Sequence, residues 1–569
     1  MTAMVGHIDL PVVALRLAVP GLSVLAIVLS AVVGWRISGR PYVGATTAVL
    51  FWVIGEIHFV DPVPYTFGPL VTLTVWHGMS MVYSWVLLLA LIAALTDVIG
   101  RADKHSTAAT AAESDPARGV PAIGPGAYAL IALLAFASSG AKASSLPVVL
   151  AALALATVIL LVRHRRLPGP VIAAFAIVAV AQLFAVAVLF RFQPHSLRLG
   201  TFARLALAQY WAQPPQPRSA WLQGPVVAGV WIAFLINMQA RLAGIVPLVW
   251  LRRARLSPVE GFLLGGALAG PLLQLSFASY EALYFTRTAL AFGVMLSAWG
   301  YARVWDRARL SRHAAVALGF ATGLVTLALI VAQILFARPS PLGSDPFRWI
   351  VPILVWSAII ASTCGLAWWA GRWWWPALRG RGTLVALTVV LVAGAPGLMM
   401  DAGHSMRYPN GGPRTTISLP RSRVEAARWV RAHSRLDDIL ATNVHCNGRR
   451  EPPCNPRSFW LSAYAERSVL VEGWGFAPRL TQVQEWPLPF WNPDRLRHND
   501  QAFTAPTPRN LDRLRRRYGV RWLVVDRAVG HESPVLRSLA ALRFDNGRMG
   551  VYEIGPDPTP PPPAGAGRE

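Results

Sequence analysis

The chain has 569 residues, of which 54% are hydrophobic and only 14% charged, against about 25% charged in a soluble globular protein. Repeated long apolar runs and a mean hydropathy of +0.44 exclude an ordinary soluble fold and point to a polytopic membrane protein. The net charge of +25 does not signal a nucleic-acid partner, because many of the arginines collect in short loops between apolar runs, where the positive-inside rule puts them.

The first apolar run, Val12 to Trp35, is followed by Arg36 and Arg40. A signal peptide carries its charge before the apolar core, so this run reads as a span entering the cytoplasm from an outer N-terminus. A second run, Val43 to Ile57, leads into an outer loop, and a third ends near Asp97. After the polar stretch Arg101–Arg118 come two shorter runs, Ile123–Phe136 and Leu146–Val162, joined by a turn of small residues. Spans are then expected at Gly169–Phe190, Pro225–Leu251, Val259–Phe277, Ala289–Val304, Ala314–Phe336, Trp349–Gly371 and Thr383–Met400. This makes an α-helical polytopic membrane protein of about twelve transmembrane helices. Basic clusters at 163–166, 252–255, 303–312 and 372–381 fall on one face by parity alone.

Beyond Asp401 the chain turns polar and mixed. The expected helices are Arg421–Ser434, Ser458–Ala465, Thr507–Tyr518 and Pro534–Leu542, alternating with strands at Asp438–Asn443, Ser468–Glu472, Arg521–Asp526 and Gly550–Ile554. That alternation argues a small C-terminal α/β domain, extracytoplasmic by parity. The domain organisation is therefore 1–400 transmembrane, 401–555 α/β, and 556–569 a disordered Pro/Gly-rich tail. The localisation expected is the plasma membrane, multi-pass. Cys446 and Cys454 lie in the outer domain and suit a local disulfide; a zinc pair lacks a second Cys pair.

No Walker loop, HExxH, GxSxG or paired CxxC is present. Chemistry must come from polar groups at membrane interfaces, where they are costly and so informative. Glu56, His58 and Asp61 share one outer loop; a carboxylate there serves as general base or metal ligand, or is an ordinary solvated acid. Lys142 stands among Ser138, Ser139, Ser144 and Ser145, either to meet a phosphate as a point charge or to reach lipid headgroups from a tight turn. Arg241 lies inside the expected span Pro225–Leu251, facing a cavity or snorkelling from a helix end. Tyr284 and Arg287, in the loop Ser279–Arg287, suit sugar stacking and a phosphate clamp, or an interfacial aromatic belt. Trp474, with Trp486, Phe490 and Trp491, suits sugar stacking or the domain's own core.

Several stretches carry a resemblance. The helix Val424–Val430 running into Asp438–Asn443, the segment Tyr518–Asp526 and the small-residue turn Ser139–Ser144, set on many spans followed by one outer α/β domain, resemble bacterial, actinobacterial-type GT-C membrane glycosyltransferases. The resemblance implies transfer of a sugar from a polyprenyl-phosphate donor in cell-envelope glycan assembly, often with a divalent metal ion. It implies Glu56 or Asp61 as base or metal ligand, and Lys142, Arg241 and Arg287 as neutralisers of donor phosphate. That family carries its acidic residue in the first outer loop, after a span leaving the cytoplasm. Here the first span enters it, so the chain reads either as lacking an amino-terminal catalytic portion or as a relative without the activity. A non-catalytic envelope scaffold that binds glycan is the alternative. The partners expected are the bilayer, a polyprenyl-phosphate sugar and envelope glycan.

Overall fold

The computed structural model describes residues 8–54, 79–111, 123–192, 199, 241–252, 255–277, 282–336, 347–373, 381–394, 419–446, 456, 458–475, 489–530 and 532–555. The chain forms two compact units, Val19–Pro409 and a second made of Met1–Ala18 with Asn410–Glu569. The first residues, expected with the membrane array, therefore group with the C-terminal domain.

Among the described residues of the membrane unit the helices are α1 (Val19–Ser38), α2 (Pro41–Trp52), α3 (Met79–Ala111), α4 (Pro125–Ala141), α5 (Ser145–His164), α6 (Gly169–Phe184), α7 (Ile245–Leu251), α8 (Pro258–Ser276), α9 (Leu283–Ala308), α10 (Arg312–Phe336), α11 (Phe347–Trp373) and α12 (Gly382–Gly394). Among the described residues, six stretches are long and apolar enough to cross a bilayer: Leu10–Ser38, Met79–His105, Ser145–His164, Gly169–Leu189, Pro258–Ser276 and Arg312–Val331. Leu133, Val162, Val180, Leu183, Val316 and Phe320 turn outward from these and neighbouring helices. So much exposed aliphatic surface is tolerable against lipid and not against water, so the protein is membrane-embedded.

Two expectations change. The span Pro225–Leu251 is interrupted by a turn at Ala243–Gly244, ahead of α7; residues 225–240 lie outside those described. The turn brings Gly244 so close to α9 that a β-carbon on Gly300 would lie 1.8 Å from the Gly244 carbonyl oxygen, and the Gly244 N–H donates to Ser297 Oγ at 3.0 Å. Second, α9 begins at Leu283 rather than Ala289, so the second half of the expected outer loop is helix.

One end of the bundle is tied by ion pairs. Arg36 in the last turn of α1 meets Asp97 on α3. Asp103, further along α3, takes Arg163 at 3.4 Å and His164 at 2.8 Å from the end of α5. Arg40 and Tyr42 at the start of α2 meet Asp306 near the end of α9. Arg381 donates to the Ala308 carbonyl at 3.1 Å. The expected basic face thus gathers at one end, with acidic partners supplied by the same helices. Beside α5, the start of α8 is fixed locally: Ser257 and Glu260 form a capping box, and buried Glu260 also takes Arg252 at 2.9 Å. The box satisfies otherwise orphaned amides of that first turn.

In the C-terminal unit α13 (Arg421–His433), α14 (Trp460–Ala465), α15 (Pro493–Thr504), α16 (Pro508–Tyr518) and α17 (Leu536–Leu539) flank a five-stranded sheet. The strands are β1 (Ile439–Thr442), β2 (Ser468–Val469), β3 (Val520–Asp526), β4 (Ala541–Asp545) and β5 (Met549–Glu553), in the order β2-β1-β3-β5-β4. β2, β1 and β3 run parallel, while β5 is antiparallel to both β3 and β4. α13 buries Ala426, Ala427 and Val430 on one sheet face; Leu511 and Leu514 of α16 and Phe503 of α15 bury on the other. The expected helix Pro534–Leu542 is only Leu536–Leu539, because Ala541 onward pairs with β5. The strand Ser468–Glu472 is paired over Ser468–Val469 alone.

The segment before α1 is held inside this unit. Asp9, 7% exposed, takes Arg431 at 3.0 Å and also pairs with Arg428, both on α13. Arg431 reaches Glu466 at 2.9 Å, and Glu466 accepts the Leu10 N–H.

Candidate functional site

The turn between α4 and α5 is where the bundle's polar groups meet. Lys142 closes α4: its backbone is extended, and its N–H donates to the Ser138 carbonyl at 3.1 Å. Ser138, Ser139, Ser144 and Ser145 are all buried around it. Small residues let the turn press against α9, where Ser144 Oγ and Thr288 Oγ1 share a hydrogen bond of 2.9 Å. α9 is locked in turn to α8, since Thr286 donates to Gln274 and Phe285 stacks on Phe277 with ring centroids 5.7 Å apart. Gly270 allows this approach, because a β-carbon there would lie 2.5 Å from the Phe285 carbonyl.

Packing brings three of the sequence-predicted residues together. The Lys142 ammonium lies 3.3 Å from the centroid of the Tyr284 ring, and the Arg287 guanidinium carbon lies 5.1 Å from it. Both are within the range at which a ring quadrupole attracts a cation. Tyr284 is half-buried and packs on the bundle core, so it is not a residue of an open interfacial loop. Arg287 is 1% exposed. A guanidinium so deep within an apolar bundle is costly, and such groups mark functional positions. Roughly 33 Å of helix separates Tyr284 from Asp306 on α9, so the cluster occupies the bundle end opposite the arginine-rich one. Two cations on one aromatic ring, with Ser and Thr hydroxyls beside them, can bind an anion: the guanidinium as a planar fork and the ammonium as a point charge.

Arg241 is buried and donates to the Ile54 carbonyl at 2.5 Å, anchored on the end of α2. Glu56, His58 and Asp61 lie outside the described residues. Among the described residues no group of three His, Cys, Asp or Glu side chains is arranged to hold a metal ion. The polar residues that sequence reasoning passed over are Gln274, Thr286 and Thr288. The available signal was polar side chains spaced along otherwise apolar segments.

In the C-terminal unit Trp474 is 8% exposed, its ring against Phe490 at 5.2 Å and His445 at 5.8 Å. It packs in the domain's own core with Val471 and Phe490, one of the two readings its sequence allows. Cys446 is disulfide-bonded; Cys454 lies outside the described residues. Asp526, at the carboxyl end of β3, is fully buried and takes Arg423 at 2.7 Å and Arg548 at 3.1 Å. Burial pushes its pKa up, but the hydrogen bonds from Arg548 and Arg423 outweigh that and hold it below the ordinary carboxylate value. Asn443 after β1 accepts the Asp526 N–H at 2.8 Å and donates to the Asp526 carbonyl at 3.0 Å. This interlock fills the crevice between the carboxyl ends of β1 and β3, the switch point where many open α/β sheets take ligands.

No protein-family model matches the chain, and no curated protein matches it. Among solved structures it is similar to ArnT from Cupriavidus metallidurans bound to undecaprenyl phosphate, at 14% identity and a TM-score of 0.37, covering 96% of this chain and 85% of that one. It is also similar to the apo oligosaccharyltransferase of Archaeoglobus fulgidus, at 10% identity and a TM-score of 0.35, covering 97% of this chain and 64% of that one.

Proposed function

We propose that this is a GT-C-like glycosyltransferase-related protein of the plasma membrane. It uses a polyprenyl-phosphate-linked sugar in cell-envelope glycan assembly, and Lys142, Tyr284 and Arg287 receive the lipid phosphate. The observation that carries this reading is the pair of cations on the Tyr284 ring, Arg287 buried and Lys142 half-buried, at the bundle end opposite the arginine-rich one. Phosphate bound there would be neutralised in a low-dielectric setting, where fixed charge stabilises a departing phosphate far better than in water. Glu56 or Asp61 would act as base or as ligand to a divalent metal, and Arg241 would hold the neighbouring end of α2.

Two features support an outer C-terminal domain. The Cys446 disulfide suits an oxidising compartment. The clamp on Asp9 joins the N-terminal segment to the C-terminal unit, which supports an even number of crossings.

The test is to reconstitute the chain in nanodiscs and measure both undecaprenyl-phosphate binding and release of free polyprenyl phosphate from polyprenyl-phospho-sugars. Lys142→Ala and Arg287→Ala are expected to lose binding and turnover together, while Glu56→Ala or Asp61→Ala loses turnover and keeps binding. Wild-type binding without turnover would turn the reading to the non-catalytic envelope scaffold. Binding indifferent to both cation variants would overturn the site.

A further inference from the structure

We propose that the carboxyl ends of β1 and β2 form a second binding site, one that takes the hydroxyl groups of a glycan. The site belongs to the C-terminal unit and does not depend on the phosphate reading above. β1 and β2 are parallel neighbours, so their carboxyl ends open at the same edge, the edge at which α/β sheets bind ligands. The β1/β3 side of that edge is filled by Asn443 and Asp526. On the β2 side stand His445 beyond β1, Glu472 and Trp474 beyond β2, and Asn499 and Asp500 from α15.

Hydrogen bonding determines what this cluster lacks. The Asn499 amide donates to the Thr442 carbonyl at 2.9 Å and to Asp500 Oδ1 at 3.0 Å. Those two bonds use both amide hydrogens, which leaves its 3.3 Å contact with His445 Nε2 the weakest of the three. Asp500 Oδ1 lies 2.8 Å from His445 Nε2. With a proton on Nε2 directed at Asp500, the Nδ1 of a singly protonated ring carries a lone pair. His445 Nδ1 and Asn499 Oδ1 are both buried and, among the described residues, both without a hydrogen-bond partner, and Asn499 is 0% exposed. Each such atom is costly to the fold until a donor reaches it.

The missing partner is defined by chemistry. Both unmet atoms are acceptors, and the Asp500 side chain beside them, 42% exposed, is an acceptor as well. The ligand must bring hydrogen-bond donors in a row. A metal ion is the poorer fit, since among the described residues no three His, Cys, Asp or Glu groups are arranged for one. An ammonium gathers its three donors on one nitrogen, whereas adjacent sugar hydroxyls bring donors spread along a ring, as acceptors on His445, Asn499 and Asp500 require.

The experiment uses the full chain in nanodiscs and linear oligosaccharides in three series: hexose, pentose and N-acetylhexosamine. Binding is read by saturation-transfer NMR. At least one series is expected to bind, and His445→Ala and Asp500→Asn are each expected to weaken it tenfold or more. If His445→Ala lowers the melting temperature of the domain, Asp500→Asn, a change at a partly exposed carboxylate, decides alone. No binding in any series, or binding unchanged in Asp500→Asn, overturns the proposal. Loss of undecaprenyl-phosphate binding in Lys142→Ala bears on the other site only.

Discussion

Lys142 is one of only two lysines in the chain, against fifty-one arginines among 53 basic residues. An ammonium is a compact charge on a flexible stem, while a guanidinium is a rigid fork, so the Lys142–Arg287 pair is not interchangeable. Lys142→Ala should weaken undecaprenyl-phosphate binding about tenfold, or roughly 1.4 kcal/mol. Arg287→Lys should fall by at least as much despite keeping its charge, because it loses the fork; titration of lipid into nanodiscs checks both. In the C-terminal unit the informative residue is Asp526. Its carboxyl is held below the ordinary value, so it contributes stability above that value and loses it as pH falls through the folded-state pKa. Asp526→Asn should lower stability by about 3 kcal/mol at neutral pH, since two arginines lose a buried partner. The variant should also lack that part of the acid-induced loss, as fluorescence melts at pH 7 and pH 3 would show. Glu472 has the opposite sign: burial raises it, with the Leu461 and Ser462 amides opposing. It therefore favours the fold most at low pH and loses that contribution as pH rises through its raised pKa.

At the scale of elements, the crossing of the Ala243–Gly244 turn over α9 depends on two glycines. A methyl on Gly300 would stand 1.8 Å from a carbonyl oxygen, so Gly300→Ala must push the turn away. A cost of about 1–3 kcal/mol is expected for such overpacking, visible as a lower melting temperature in detergent. The elements also show where sequence was readable. α16 was legible from end to end, since Thr507 caps it, Pro508 starts it and Gly519 at φ +71 stops it. β4 was missed, although Asn546-Gly547, with Gly547 at φ +84, is a hairpin signal. α15 was missed because its residues are polar, yet Asn492 followed by Pro493 is a start signal. The first turn of α9 read as loop because Tyr284, Thr286, Arg287 and Thr288 are polar. Their burial depends on α5 and α8, which no local window contains.

For the whole molecule, the membrane class was written in the apolar runs, and the paired faces were written in the arginine clusters. The convergence at the candidate site was not. Ser144 and Thr288 are 144 positions apart, and nothing in either neighbourhood names the other. The ion pairs at the opposite end had the same limit: the arginines were evident, but Asp97, Asp103 and Asp306 as their partners were not. Reporter fusions at the N-terminus and after Glu569 should both light up outside the cytoplasm, as an even number of crossings requires. A split result would remove the basis for the outer domain.

The clamp on Asp9 has a consequence for how the protein is made. Leu10 is bonded to Glu466 across 456 positions, so Leu10 leaves the ribosome long before its partner is made and finds its place only after Glu466 has followed. A chain that stops short of Arg428 keeps the buried acid's need without its answer. A stop before Arg428 should therefore leave the segment around Asp9 open to protease, and a chain that includes Arg428, Arg431 and Glu466 should shield it.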